Sequence, residues 1–224
     1  MKTVVYVDGF NLYYNCFKGK RNLQRRHLRW LDLRKLAEQI LKNDEIVEIN
    51  YYTAMVSSRA SDSRRPLRQQ AYPQSLSAYA GVRVHHGQFR KTKRTGRLVR
   101  PGDGVEVEQT VEIMQEKGSD VCLTTHMLLD GFQDRYELAV VLSNDSDYAE
   151  PIRVIADVLN KSVGVISPDV NVSKQLAKLA TFARSLDLNL LESSQLPDEI
   201  LRSDGIVLTR PAYWTKPEAD SSST

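Results

Sequence analysis

Cysteine is nearly absent from this chain. Cys16 and Cys122 stand far apart, without Cys-x-x-Cys spacing or companion cysteines, so the sequence suggests neither a disulfide framework nor a thiolate zinc site. Neither cysteine has an evident histidine partner for nucleophilic catalysis. Long apolar runs are missing too: none approaches the roughly 20 residues that cross a bilayer. The N-terminal stretch meets Asp8 before any export-type segment develops. A reducing, cytoplasmic setting with no membrane partner is the resulting expectation. Phosphate-cradling and nucleophile motifs are equally scarce. No Gly-x-x-x-x-Gly-Lys-Ser/Thr, Gly-x-Gly-x-x-Gly or Gly-x-Ser-x-Gly occurs, which leaves nucleotide phosphotransfer, dinucleotide binding and serine-hydrolase chemistry unsupported.

What is present fits an ordinary globular domain: 224 residues, 41% of them apolar and 26% charged. The formal charge of +3 is small but unevenly spread. Lys18, Lys20, Arg21, Arg25, Arg26 and Arg29 crowd one stretch, and Arg59, Arg64, Arg65 and Arg68 another. A third holds Arg83, Arg90, Lys91, Lys93, Arg94, Arg97 and Arg100. Such local excess favours a polyanion through phosphate contacts; the plainer alternative is a set of solvated loops.

Thr3–Asp8 reads as a buried strand ending in an acid, and Ile46–Met55 as a second. Leu33, Leu36, Ala37, Ile40 and Leu41 recur at helical spacing. Val82–Phe89, Glu137–Leu142 and Ser162–Ser167 read as further strands, and Gln69–Tyr79, Tyr148–Leu159 and Val172–Phe182 as helices. Between them, residues 90–117 break the alternation. Turns are expected at Lys93–Gly96 and Pro101–Gly104, with Val105, Val107 and Val111 on a half-exposed strand, giving a basic β-ribbon insertion. Apolar strands separated by amphipathic helices predict an α/β fold with a mostly parallel sheet covered on both faces. Residues 1–190 are taken as that domain, and 191–224 as a C-terminal extension disordered at its end.

Ligands in such folds collect beyond the carboxyl ends of strands, where Asp8, Asp145 and Asp147 are expected. Asp145 and Asp147, one residue apart, would repel unless paired. A divalent cation removes that repulsion, and hard oxygen donors suit Mg²⁺ or Mn²⁺. Helix capping could explain one such acid, Asp120 among them, but not the set. In Asp8-Gly9-Phe10-Asn11 the glycine permits a sharp turn and Asn11 can return an amide toward the same pocket, although a simple Asx turn has the same signature.

Three blocks, Val5–Asn11, Glu116–Val121 and Leu142–Tyr148, resemble in order and spacing the NYN domain family, a branch of the PIN-like nucleases. The resemblance spans about residues 3–170. It implies a Rossmann-like three-layer sandwich with an aspartate metal pocket and, in many members, RNA cleavage. By position, Asp8, Asp120, Asp145 and Asp147 match the metal-pocket acids and Asn11 their polar partner. Two positions depart. Asn144 stands where glycine is frequent, and His126 where the helix often carries another aspartate; His126 is either a metal or proton-relay group or, as lone histidines more often are, structural.

The expected function is hydrolysis of RNA, single-stranded by preference, with water activated by aspartate-bound cations. Asn11, Arg90, Lys93, Arg94 and Lys117 are the candidate substrate contacts. The alternative is a non-catalytic RNA-binding or regulatory module of the same fold. Either could act alone, as a homodimer or in a larger assembly.

Overall fold

The structure, a computed structural model, describes residues 1–18, 20–54, 65–99 and 107–215. The expected features at Met55, Arg59, Arg64, Arg100, Pro101–Gly104, Val105 and the extreme C-terminus lie outside the described residues.

The strands, in chain order, are β1 (Lys2–Asp8), β2 (Glu45–Ala54), β3 (Arg83–Arg97), β4 (Glu108–Lys117), β5 (Leu138–Leu142), β6 (Ser162–Ser167) and β7 (Phe182–Ser185). They form one sheet in the order β4-β3-β2-β1-β5-β6-β7, parallel throughout except for the antiparallel β3–β4 pair. Strand alternation builds two cores. Val5 and Val7 point into one together with Val140 and Leu142; Val4 and Tyr6 point into the other with Ala139 and Val141. Helices α1 (Gly9–Phe17), α2 (Leu33–Ile40) and α3 (Arg65–Ala80) cover the first face. The second is covered by α4 (Ser119–Phe132), α5 (Ala149–Arg153) and α6 (Lys174–Leu179). Helix α7 (Leu188–Ser193) returns to the first face, and Leu196, Ile200 and Leu208 from the chain beyond join its core. Trp30 ties that stretch down by donating Nε1–H to the Pro197 carbonyl at 2.7 Å.

Three elements differ from the expectation. The helix expected through Phe182 stops at Leu179, and Phe182 begins β7. The Phe182 ring lies over Gly164 of β6, so close that a Cβ there would sit 2.2 Å from it; this flat slot holds the chain extended against β6. Lys93–Gly96 is not a turn. The whole of Gln88–Arg97 pairs with Glu108–Lys117, helped by a Thr95–Thr110 hydroxyl contact of 2.8 Å and a Lys91–Glu112 ion pair. The helix expected over Tyr148–Leu159 is split into a 3-10 turn at Ser146–Tyr148, α5, and a π-turn at Val154–Val158.

Beyond Gly87, among the described residues, β3 pairs with β4 alone. The two strands therefore project roughly 30 Å past the carboxyl edge of the sheet, at the usual strand rise.

Candidate functional site

Strands β1 and β5 are parallel neighbours, with Val7 opposite Leu142, so Asp8 and the Ser143–Asp147 segment emerge side by side. Asp8 is buried and caps α1: its Oδ1 accepts from the backbone N–H groups of Phe10 (3.1 Å) and Asn11 (2.9 Å). Its Oδ2 faces the hydroxyls of Ser143 (3.1 Å) and Tyr148 (3.3 Å). The Tyr148 hydroxyl also reaches Asp120 Oδ1, at 3.2 Å. Asp120 opens α4 on the exposed side, where the last residues of β4 deliver the chain. Asp145 caps the 3-10 turn by accepting from Asp147 N–H at 3.0 Å.

Crowding shows in the proton affinities. Burial pushes the Asp8 carboxyl up to about 6, with Asp120 adding to the rise and the Asn11, Ser143 and Tyr148 hydrogen bonds opposing it. Although the residue is exposed, partial desolvation of its carboxyl raises Asp120, followed by repulsion from Glu116 and then from Asp145 and Asp147, with the Tyr148 hydrogen bond opposing the rise. Asp8 and Asp120 share the Tyr148 hydroxyl, and Glu116, Asp145 and Asp147 stand near enough to Asp120 to raise it. The Tyr148 hydroxyl, buried between two carboxylates, stays protonated well above neutral pH.

Gly9 is required for a reason other than turning. It lies at the start of α1, where a Cβ would meet the Tyr52 carbonyl oxygen at 2.6 Å and the Tyr51 ring at 2.7 Å. Asn11 spends its side-chain oxygen within the protein, accepting from Asn144 N–H and Asn15 Nδ2, each at 3.0 Å. It ties the loop after β1 to the loop after β5. Asn144 carries the brace onward, with Nδ2 donating to the Asn171 carbonyl (2.9 Å) and Oδ1 accepting from Ser173 N–H (2.7 Å).

A family model described as the NYN domain matches residues 2–187. The chain belongs to the NYN domain family. That membership brings the PIN-like nuclease fold. The NYN chain is also 26% identical to a 6-hydroxy-3-succinoylpyridine 3-monooxygenase of Pseudomonas putida, over 88% of its own length and 70% of that protein's. Its fold is similar to that of a protein of unknown function from Vibrio parahaemolyticus, with a TM-score of 0.54 at 17% identity, covering 87% of this chain and 96% of the other.

In this NYN protein the register of the β3–β4 pair puts Arg90, Arg94 and, opposite Gln88, Lys117 on one face, with Lys93 on the other. Directly opposite residues of an antiparallel pair share a face. Arg90 and Arg94 stand opposite Gln115 and Val111, whereas Lys93 stands on the other face opposite Glu112. The latter face also carries Glu108 and Glu116, so acids from β4 offset much of its positive charge. Lys117 is exposed at the end of β4. His126 Nδ1 lies 3.0 Å from the Tyr52 hydroxyl, and its ring contacts His85. Sequence reasoning missed Tyr148, Ser143 and Glu116. All three lie inside or beside the blocks of resemblance, but only proximity in space separates them from their neighbours. Among the described residues, the group whose potential ligand atoms all lie within 4.8 Å of one another is His85, Cys122 and His126, not the aspartates.

Proposed function

We propose that this NYN protein is a metal-dependent ribonuclease in which Asp8, Asp120, Asp145 and Asp147 hold Mg²⁺ or Mn²⁺ against the RNA backbone. The observation that carries the reading is the Tyr148 hydroxyl in reach of both Asp8 and Asp120, with Asp120 raised by desolvation, then by Glu116, and to a smaller extent by Asp145 and Asp147. Distant parts of the chain supply carboxylates to one rim at the carboxyl edge of a parallel sheet, and the donor set is hard oxygen, which suits these cations. A bound cation supplies Lewis acidity for phosphodiester hydrolysis. The protein's own groups do the rest. Ser143 and Tyr148 donate to Asp8 and hold its carboxylate in place; Asn11 and Asn144 brace the two loops; the β3–β4 arm, through Arg90, Arg94, Lys93 and Lys117, grips flanking phosphates of a single strand.

The test is cleavage of single-stranded RNA by the purified chain in Mn²⁺, compared with an Asp145→Asn/Asp147→Asn variant whose fold is checked by circular dichroism. Loss of cleavage in the variant supports the reading. Undiminished cleavage removes it, and RNA binding without cleavage by the wild type turns it into a non-catalytic binding module. The Pseudomonas relative favours a second reading, oxygenation of a small hydroxylated pyridine. Mass spectrometry of such a compound incubated with the chain, O₂ and a reductant decides it by gain or absence of one oxygen atom.

A further inference from the structure

We propose that His85, Cys122 and His126 form a second metal site, filled by Zn²⁺ and separate from the carboxylate rim. His85 stands on β3 opposite Tyr52 of β2, and the two rings stack at 4.6 Å. Helix α4 crosses this pair and presents Cys122 and His126, four residues apart and so on one helix face. Cys122 Sγ lies 3.7 Å from His126 Nε2, the two imidazole rings are 4.6 Å apart, and one potential ligand atom from each residue falls within 4.8 Å of the others.

Each ring has one nitrogen held by a protein group, as the rings of metal-binding histidines commonly do. Tyr52 takes His126 Nδ1 at 3.0 Å, and Asn50 Oδ1 takes His85 Nε2 at 2.8 Å. Asn50 is only 2% exposed, and its Nδ2 has no partner among the described residues. A buried amide is committed to one imidazole, at the cost of an unsatisfied donor. His126 Nε2 and His85 Nδ1 remain for a metal.

One thiolate and two imidazoles are a borderline-soft set that suits Zn²⁺ and not Mg²⁺. With Zn–S near 2.3 Å and Zn–N near 2.0 Å, ligand atoms of a tetrahedral site stand about 3.3–3.5 Å apart, so the widest pair here closes by roughly 1.5 Å or less on binding. Binding releases the Cys122 thiol proton to solvent. All three residues are half-buried, which leaves the fourth position to water. Asp8 is opposite Tyr52, and Tyr52 opposite His85, so two strand spacings, about 10 Å, separate Asp8 from His85, while Asp120 precedes Cys122 by two residues on α4.

Co²⁺ titration of the chelator-stripped full chain reads this directly. The expected result is a thiolate-to-cobalt charge-transfer band with tetrahedral d–d bands, saturating at one equivalent and erased by Zn²⁺. Cys122→Ser loses the charge-transfer band, while Asp145→Asn/Asp147→Asn keeps it. No such band in the wild type, or a band that survives Cys122→Ser, overturns the proposal. Mass-mapped alkylation of the wild type needs no variant: Zn²⁺ is expected to protect Cys122 at least tenfold, and equal labelling with and without Zn²⁺ overturns it.

Discussion

The Tyr148 hydroxyl stands 3.3 Å from Asp8 Oδ2 and 3.2 Å from Asp120 Oδ1, so one phenolic proton serves two carboxylates that are far apart in the sequence. Tyr148→Phe removes that donor from a buried position. The expected loss is about 1–2 kcal/mol in urea unfolding. Because the bond favours the ionised form of Asp8, its loss also moves the acid limb of Mn²⁺-dependent cleavage upward from about pH 6. A variant with unchanged stability and an unchanged pH profile would show that the hydroxyl merely fills space.

Asp8 ionises near 6 in the fold against 3.8 as a free side chain, so protonation favours the folded state. That stabilisation is complete below 3.8 and is lost as pH rises through about 6, making the charged form a cost of about 3 kcal/mol at pH 7.5. Asparagine keeps the capping oxygen. In chelator, Asp8→Asn is therefore expected to be more stable than the wild type at pH 7.5, by up to about 3 kcal/mol, with the gain shrinking toward zero at pH 4. Mn²⁺ should stabilise the wild type and not the variant. Equal or lower stability of the variant at pH 7.5 in chelator contradicts the assignment.

Gly9→Ala places a methyl against the Tyr52 carbonyl and the Tyr51 ring. Backbone on one side and a buried ring on the other leave little room to relax, so the expected cost is roughly 1–3 kcal/mol by thermal or urea unfolding. Since α1 must shift from β2, the Asp8 cap moves with it and Mn²⁺ affinity falls in parallel. Wild-type stability would mean the strand and helix separate easily.

On the β3–β4 arm, Arg90 and Arg94 lack an opposing acid and Lys93 has Glu112 across from it. Fluorescence anisotropy with single-stranded RNA should show the slope of log K against log salt reduced by about 1.4 in Arg90→Ala/Arg94→Ala, the value for two phosphate contacts on a single strand. Lys93→Ala should change it less. Equal effects would indicate that RNA lies along both faces.

Much of the fold follows from local rules. A period of two along β1 already separates Val5 and Val7 from Val4 and Tyr6, and the apolar run Leu138–Leu142 followed by polar residues marks the end of β5. That Asp8 and the Ser143–Asp147 segment leave the sheet side by side was legible because strand ends in a parallel sheet face one edge. Long-range contacts overrode local signals elsewhere. Phe182 reads as helical until Gly164 offers it a flat slot, and Lys93–Gly96 reads as a turn until β4 pairs across it. Glycine after Asp8 looked like a turn residue, yet the close approach of Tyr52 requires it.

The sequence by itself determined the strand–helix alternation, the acids at strand ends and the i, i+4 placement of Cys122 and His126, since each depends on backbone periodicity over a few residues. Only the tertiary structure decided which faces Arg90 and Lys93 occupy, and that Cys122 has histidine partners after all. His85 meets α4 because β3 lies at that place in the sheet and α4 crosses it. Strand order is settled by packing between distant segments, which no local spacing records.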